Sequence, residues 1–324
     1  MTAPGAADPS ESLEVPELPP YRPPSEADSI LLRVTRGCAW NRCRFCAMYG
    51  ETPFECRPLA HVLRDVAGWA ALHPRAGSVF LADSDALEHP ELAEIVAAVR
   101  RAFPALERVT SYTRLTTLRR RTAPKLALLR AAGLTRLHAG LESGSAEVLR
   151  RARKGLRPDI AIEGAEKALD AGFELSLYVL SGLGGEDAWE EHARESGRLV
   201  AAVWPHFLRL RSLLLFAGTD LREEWERGAF RPASPGTRLR EVRALLAELA
   251  PAAPPARDLV VTSDHFSNVV WADRRQVYAG VEGRLPAERA AMFALLDGAI
   301  ASVAASEVAA DPTAFSLTGR LRSG

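Results

Sequence analysis

From Ser29 onward the chain alternates short apolar runs with stretches whose apolar residues recur every three or four positions. The runs "ILLRVTR" (30–36), "SVFLA" (78–82), "ERVTSY" (107–112), "TRLHAGL" (135–141), "FELSLYVL" (173–180) and "FLRLRSLLL" (207–215) read as strands. Between the first two lies "PLAHVLRDVAGWAAL", where Leu59, Val62, Leu63, Val66 and Trp69 share one face of a helix. Strands that alternate with helices predict βαβ units and a parallel sheet, because a parallel connection needs a crossover helix. An internal echo supports this reading. "LRAAGLTRLHAGLESG" and "LDAGFELSLYVLSGLGG" share the order helix, Ala-Gly, strand, Gly-containing loop, offset by 39 residues, the spacing from Gly133 to Gly172. Each of those glycines stands where a helix C-terminus calls for positive φ.

The repeat length is that of one βα unit of a barrel, and about six such units fit between Ser29 and Ala250, against the eight of a complete TIM barrel. The expected fold is α/β, a partial (β/α)6 TIM-like barrel of parallel strands over 29–250. Residues 1–28, rich in Pro, Glu, Ser and Ala, are expected to form a disordered or draped arm. Residues 251–324, with "VVTSDHFSNVVW" and a last helix, are expected as a C-terminal extension packed on the barrel.

Composition narrows the class. The 324 residues are 47% hydrophobic and 25% charged, with Lys plus Arg and Asp plus Glu at 41 each. That is the profile of a globular protein, and the absence of a basic surplus gives no support to a nucleic-acid partner. The N-terminal stretch lacks the basic and apolar regions of an export signal, and "AAMFALLDGAIASVAA" is broken by Asp297 and Gly298, so no membrane span is expected. The expected compartment is the reducing cytoplasm, where clustered cysteines point to metal or redox chemistry.

Three of the four cysteines, Cys38, Cys43 and Cys46, lie within "RVTRGCAWNRCRFCAMYG", directly behind the first strand. In open parallel sheets and barrels, chemistry gathers in the loops at strand C-terminal ends. Three thiolates are one short of a closed tetrahedral site. A structural zinc could recruit Cys56 or a histidine as the fourth ligand. A 4Fe-4S cluster could use three and leave one iron open. The spacing C-x4-C-x2-C, with the aromatic Phe45 before the last cysteine, resembles the radical S-adenosylmethionine (SAM) superfamily, whose usual signature is C-x3-C-x2-C in the loop after the first strand. The extra residue in the first gap is a departure from that signature.

The resemblance implies a cluster held by Cys38, Cys43 and Cys46, its open iron chelated by the amino and carboxylate groups of SAM. It implies reductive cleavage of SAM to a 5′-deoxyadenosyl radical that abstracts a hydrogen atom from a substrate, here expected to be a small molecule. Oxygen sensitivity and an electron donor such as flavodoxin or ferredoxin follow from it. It places SAM contacts at Asp83, Ser84 and Asp85 after the second strand, where this chain lacks the superfamily's glycines, and at Glu142 and Ser143 after the fourth. Ser145 reads as the N-cap of the next helix. "LSGLGGE" would let the backbone approach adenine, and Arg209 and Arg211, on one face of a strand, would meet a carboxylate of SAM or substrate. No residue is assigned a catalytic role. Tyr112, Arg114, Tyr178, Asp264, His265 and Asn268 are candidates for the substrate pocket. With only Cys56 outside the loop, no auxiliary cluster can be built from cysteine ligands. Two other classes stay open, a zinc-clipped binding protein and a non-catalytic iron–sulfur or haem-handling relative.

Overall fold

The computed structural model describes residues 21–50, 52–251, 255–263 and 265–305. Most of the expected arm, Asp264 and the last part of the extension lie outside the described residues.

The strands are β1 (Ile30–Arg33), β2 (Thr35–Arg36), β3 (Glu55–Cys56), β4 (Ser78–Ala82), β5 (Arg108–Thr113), β6 (Arg136–Glu142), β7 (Glu174–Ser181), β8 (Phe207–Ser212), β9 (Leu259–Thr262), β10 (Val270–Ala272), β11 (Arg275–Tyr278) and β12 (Gly283–Leu285). The helices are α1 (Leu59–Leu72), α2 (Leu92–Ala102), α3 (Leu115–Arg120), α4 (Ala123–Ala132), α5 (Ala146–Arg151), α6 (Pro158–Asp170), α7 (Trp189–Val203), α8 (Asp220–Glu226), α9 (Pro235–Glu248) and α10 (Arg289–Ala304). Eight strands form one sheet in the order β1-β4-β5-β6-β7-β8-β9-β12. The pairs β1/β4, β4/β5, β7/β8 and β8/β9 are parallel, and β12 adds antiparallel to β9. The six strands read from the sequence are therefore present as a mostly parallel α/β sheet. The C-terminal segment lengthens that same sheet by two strands.

The chain divides into two compact units. The first comprises Met1–Ala39, Glu51–His138 and Lys167–Glu174. Its helices cover the sheet with regularly spaced apolar residues, such as Leu92, Ile95, Val96 and Val99 of α2, all buried. Each such side chain removed from water contributes about 1.5–3 kcal/mol before chain entropy is subtracted. α4 ends on Gly133 at φ 114°, which only glycine adopts without strain.

Of the expected arm, Pro24–Glu26 form a 3-10 turn whose Glu26 is fully buried. The carboxylate accepts from the Ser29 hydroxyl at 2.7 Å and lies 3.3 Å from His138 Nε2, with Arg108 at 3.5 Å. Burial pushes the Glu26 carboxyl up, but the hydrogen bonds from His138 and Ser29 and the nearby positive charge more than offset it. The group is held at about 2, below its ordinary 4.5. A depressed carboxyl stabilises the fold fully above its unfolded pKa and loses that contribution as pH falls through the folded one. Denaturation followed between pH 5 and pH 2 is expected to show a fall on the order of 3 kcal/mol that Glu26→Gln lacks. Parallel curves for the two proteins would disprove it.

The second unit comprises Trp40–Gly50, Ala139–Glu166 and Leu175–Gly324. α7 buries Ala193, Leu199, Val200 and Val203, and α9 buries Leu239, Val242, Leu245 and Leu246. Asn268, buried in the loop after β9, donates to the carbonyls of Leu210 and Ser263 at 2.9 and 2.8 Å and accepts from Ser212 Oγ at 3.0 Å. These bonds tie the loop to the end of β8. His265 turns inward on its own loop, its Nδ1 2.7 Å from Ser267 Oγ.

Candidate functional site

The cysteine loop begins at Gly37, whose φ of 68° turns the chain out of β2. A Cβ there would strike the carbonyls of Thr52 and Pro53, so the tight approach requires glycine. Ser84, behind β4, donates its hydroxyl to the Gly37 carbonyl at 2.7 Å and so ties the start of the loop. Beyond Ala39 the loop belongs to the second unit and is held there by several independent contacts. Arg44 N–H donates to the Ala152 carbonyl at 3.0 Å, and the Arg44 carbonyl accepts from Leu221 N–H at 2.9 Å. The Arg44 guanidinium pairs with Glu224 and, at 3.4 Å, with Asp220. Trp40 Nε1 donates to the Arg153 carbonyl at 2.7 Å, and Cys46 N–H closes a turn onto the Cys43 carbonyl at 3.2 Å. Phe45 packs against an apolar cluster of Val148, Ala152, Leu183, Leu213, Leu215, Leu221 and Phe230. The aromatic before the last cysteine is thus the hydrophobic foot of the loop.

Cys38, Cys43 and Cys46 are half-buried and none is in a disulfide. Among the described residues no three His, Cys, Asp or Glu side chains converge on one metal ion. Cys56 is occupied elsewhere: its thiol faces the Glu88 carbonyl at 3.7 Å, and burial together with the charge of Glu88 raises its pKa.

In the first unit the acids behind β4 are engaged by the protein. The Asp83 N–H donates to the Thr35 carbonyl at 3.1 Å and its carboxylate lies 3.5 Å from Arg33. Asp85 is fully buried and accepts from Thr113 at 3.0 Å, Thr117 at 2.6 Å and the Arg114 backbone at 3.3 Å. Burial pushes its carboxyl up to about 6, against the downward pull of the Thr117 hydrogen bond. Asp85 therefore holds the start of α3 to the loop. Tyr112, half-buried, packs edge-on against the buried Phe80 at 5.0 Å between ring centroids.

In the second unit the loop behind β6 carries Glu142, Ser143 and Ser145. Glu142 has φ 66°, a left-handed backbone uncommon for a non-glycine residue, and its carboxylate pairs with Lys154 at 2.7 Å. Gly140 leaves room for that pair, since a Cβ there would overlap both the Glu142 carboxylate and the Lys154 ammonium. Ser145 caps α5 by accepting from Val148 N–H at 3.1 Å, and its hydroxyl donates to Glu191 at 2.6 Å. Ser143 is buried and sits 2.8 Å from His192 Nδ1. Behind β7, the Gly182 N–H donates to Glu241 at 2.9 Å. On β8, Arg209 is 4% exposed and donates to the hydroxyls of Ser176 and Thr262 at 3.0 and 3.2 Å. Arg211 lies 5.6 Å from the Tyr178 ring and donates to the Leu210 carbonyl.

Lys154, Arg44, Trp40, His192 and Glu241 are not singled out by the sequence reading. The signal for Lys154 is "RRARKG", where a single lysine precedes a glycine of φ 66° at the end of α5. His192 and Ser196 stand four apart on the same buried stripe of α7 as Leu199, Val200 and Val203, and polar residues on such a stripe need partners.

A family model described as the radical SAM superfamily matches residues 32–196, about half of the chain. The tRNA uridine(34) acetyltransferase of Methanocaldococcus infernus is 25% identical over 103 residues, which are 31% of this chain and 19% of that protein. The chain therefore spans only a minor part of that relative's length. Among solved structures, methylornithine synthase aligns with a TM-score of 0.49 and 19% identity, over 68% of this chain and 61% of its own. Coproporphyrinogen III oxidase of Escherichia coli aligns with a TM-score of 0.49 and 16% identity, over 68% of this chain and 52% of its own.

Proposed function

Since the chain belongs to the radical SAM superfamily, we propose that it reductively cleaves SAM at a 4Fe-4S cluster and abstracts a hydrogen atom from a small-molecule substrate. The chain is an enzyme of that superfamily, and a 4Fe-4S cluster and SAM are the cofactors that go with it. The observation that carries the reading is the donor set. One braced loop offers three cysteines outside any disulfide, and the remaining cysteine is turned to a carbonyl with its thiol stabilised. Such a cluster takes its thiolates on separate irons, so the donors need not converge on one point.

When bound and reduced, the cluster supplies the electron that splits SAM into methionine and a 5′-deoxyadenosyl radical. The chain's own groups bind and orient. Cys38, Cys43 and Cys46 ligate, while Arg44, Trp40 and Phe45 keep the loop in place. Lys154, paired with Glu142 at the end of β6, adds a cation beside the contacts proposed for the SAM carboxylate. Glu142 and the backbone of Ser143 are the contacts proposed for the ribose and carboxylate end of SAM. The loop of Asp83, Ser84 and Asp85 offers the ammonium its backbone and Asp83, with Asp85 bracing the turn from beneath. The glycines after β7 admit adenine, and Arg211 is proposed for a carboxylate of SAM or substrate. The half-buried cysteine loop suits electron delivery from a flavodoxin or ferredoxin. No helix among the described residues is long and apolar enough to cross a membrane.

The protein reconstituted anaerobically with iron and sulfide and supplied with dithionite and SAM is expected to form 5′-deoxyadenosine and methionine in equal amounts. Intact SAM in the presence of a reduced cluster would overturn the reading.

A further inference from the structure

Ser143, His192 and Glu241 form a chain of hydroxyl, imidazole and carboxylate, at 0%, 0% and 1% exposure. Ser143 Oγ lies 2.8 Å from His192 Nδ1, and His192 Nε2 lies 3.4 Å from Glu241 Oε1. The second distance is within ion-pair reach but makes no aligned hydrogen bond. The order is that of a nucleophilic relay, yet Ser143 is sealed from solvent and its oxygen already accepts from Ser145 N–H at 3.0 Å. No substrate carbonyl can reach it, so this trio of side chains is not an acyl-transfer triad.

Hydrogen-bond accounting fixes what it does instead. The Ser143 oxygen accepts from Ser145 N–H and shares a second hydrogen bond with His192 Nδ1, whose donor is set by the His192 tautomer. His192 Nε2 faces Glu241, whose Oε1 accepts from Gly182 N–H at 2.9 Å. The close approach of His192 to Glu241 thereby brings the loop behind β6 and the loop behind β7 to one point between α7 and α9. The rest of the same α7 face reinforces it. Gly144 N–H donates to Ser196 Oγ at 2.8 Å, and Ser145 Oγ donates to Glu191 at 2.6 Å.

We infer that His192, backed by Glu241, is a positioning residue for SAM: it locks the Ser143 hydroxyl and holds the two loops at a fixed spacing, so it sets SAM affinity more than turnover. This rests on the assignment of those loops to SAM. A loop held by buried relays is pre-organised, and loss of the relay exacts its cost at binding, before chemistry.

The test uses the full chain with its cluster reconstituted, dithionite as reductant and SAM varied. His192→Leu is expected to raise KM for SAM about tenfold while leaving the rate at saturating SAM within about threefold. His192→Asn, whose side-chain amide stands close to the Nδ1 position, is expected to restore most of the affinity. His192→Gln reaches toward Glu241 but not Ser143 and is expected to behave like His192→Leu. The Asn–Gln contrast decides the matter even if His192→Leu does not fold, because a purely structural role would not separate the two amides this way. A wild-type KM in His192→Gln, or equal KM values in the Asn and Gln variants, overturns the inference and leaves the SAM reading intact. A wild-type protein that neither binds nor cleaves SAM removes the reading itself.

Discussion

Cys43→Ala is expected to remove SAM cleavage entirely while leaving the protein folded. Cys43 sits in a loop that does not owe its shape to the thiol. The turn from Cys46 N–H to the Cys43 carbonyl is made by backbone, and Arg44 is bonded on both its N–H and its carbonyl. Its guanidinium pairs with Glu224, and Phe45 is anchored in apolar packing. Truncating one half-buried thiol therefore costs little structure. It removes one of three ligands from a cluster that is already one protein ligand short, and two thiolates do not retain four irons. The check is iron content and 5′-deoxyadenosine in variant and wild type, beside a thermal melt of each. Retained cleavage in a folded Cys43→Ala protein would refute the ligand assignment.

Gly144→Ala is expected to be nearly as damaging, for a steric reason. A Cβ at residue 144 would fall within van der Waals overlap of the Glu195 carbonyl and the Ser196 nitrogen. All the obstructing atoms are backbone of α7, so no side-chain rotation relieves the clash. α7 must move away or the loop of Glu142–Ser145 must lift off it. Either response breaks the Gly144–Ser196 bond and strains the contacts of Ser143 with His192 and Ser145 with Glu191. Overpacking of this kind costs about 1–3 kcal/mol. Because it falls on the loop proposed to hold SAM, SAM affinity is expected to drop by at least about tenfold in whatever protein remains folded. Equilibrium unfolding and SAM titration measure the two parts separately. An alanine variant with wild-type stability and affinity would show that the loop is not pinned as described.

The residues that made the fold legible are those whose pattern follows backbone geometry. Strands covered on both faces read as apolar runs, which is why "SVFLA" matches β4 residue for residue. Gly133 and Gly172 were readable because a helix end demands positive φ, and both adopt it. The cysteine loop was readable because spacing is itself the chemistry. What pattern cannot give is where a polar side chain points. Asp85 is an acid in a loop beside a strand end, and nothing in "LADSDAL" distinguishes one facing a ligand from one buried beneath Thr113 and Thr117. His192 was hidden for the opposite reason. It lies in a helix far along the chain from Ser143, and only tertiary packing brings the two within 2.8 Å. Asn268 is a pocket candidate whose bonds to the Leu210 and Ser263 carbonyls, joining β8 to the loop after β9, leave no trace in the sequence pattern.

The most direct measurement is electron paramagnetic resonance of the reduced, reconstituted protein with and without SAM, the SAM carboxylate carrying oxygen-17. The account predicts a spectrum that shifts on SAM addition and shows hyperfine coupling to the labelled carboxylate, placing SAM on an iron without a cysteine. An unchanged spectrum with no coupling, or a protein that takes up zinc and no iron, would contradict it.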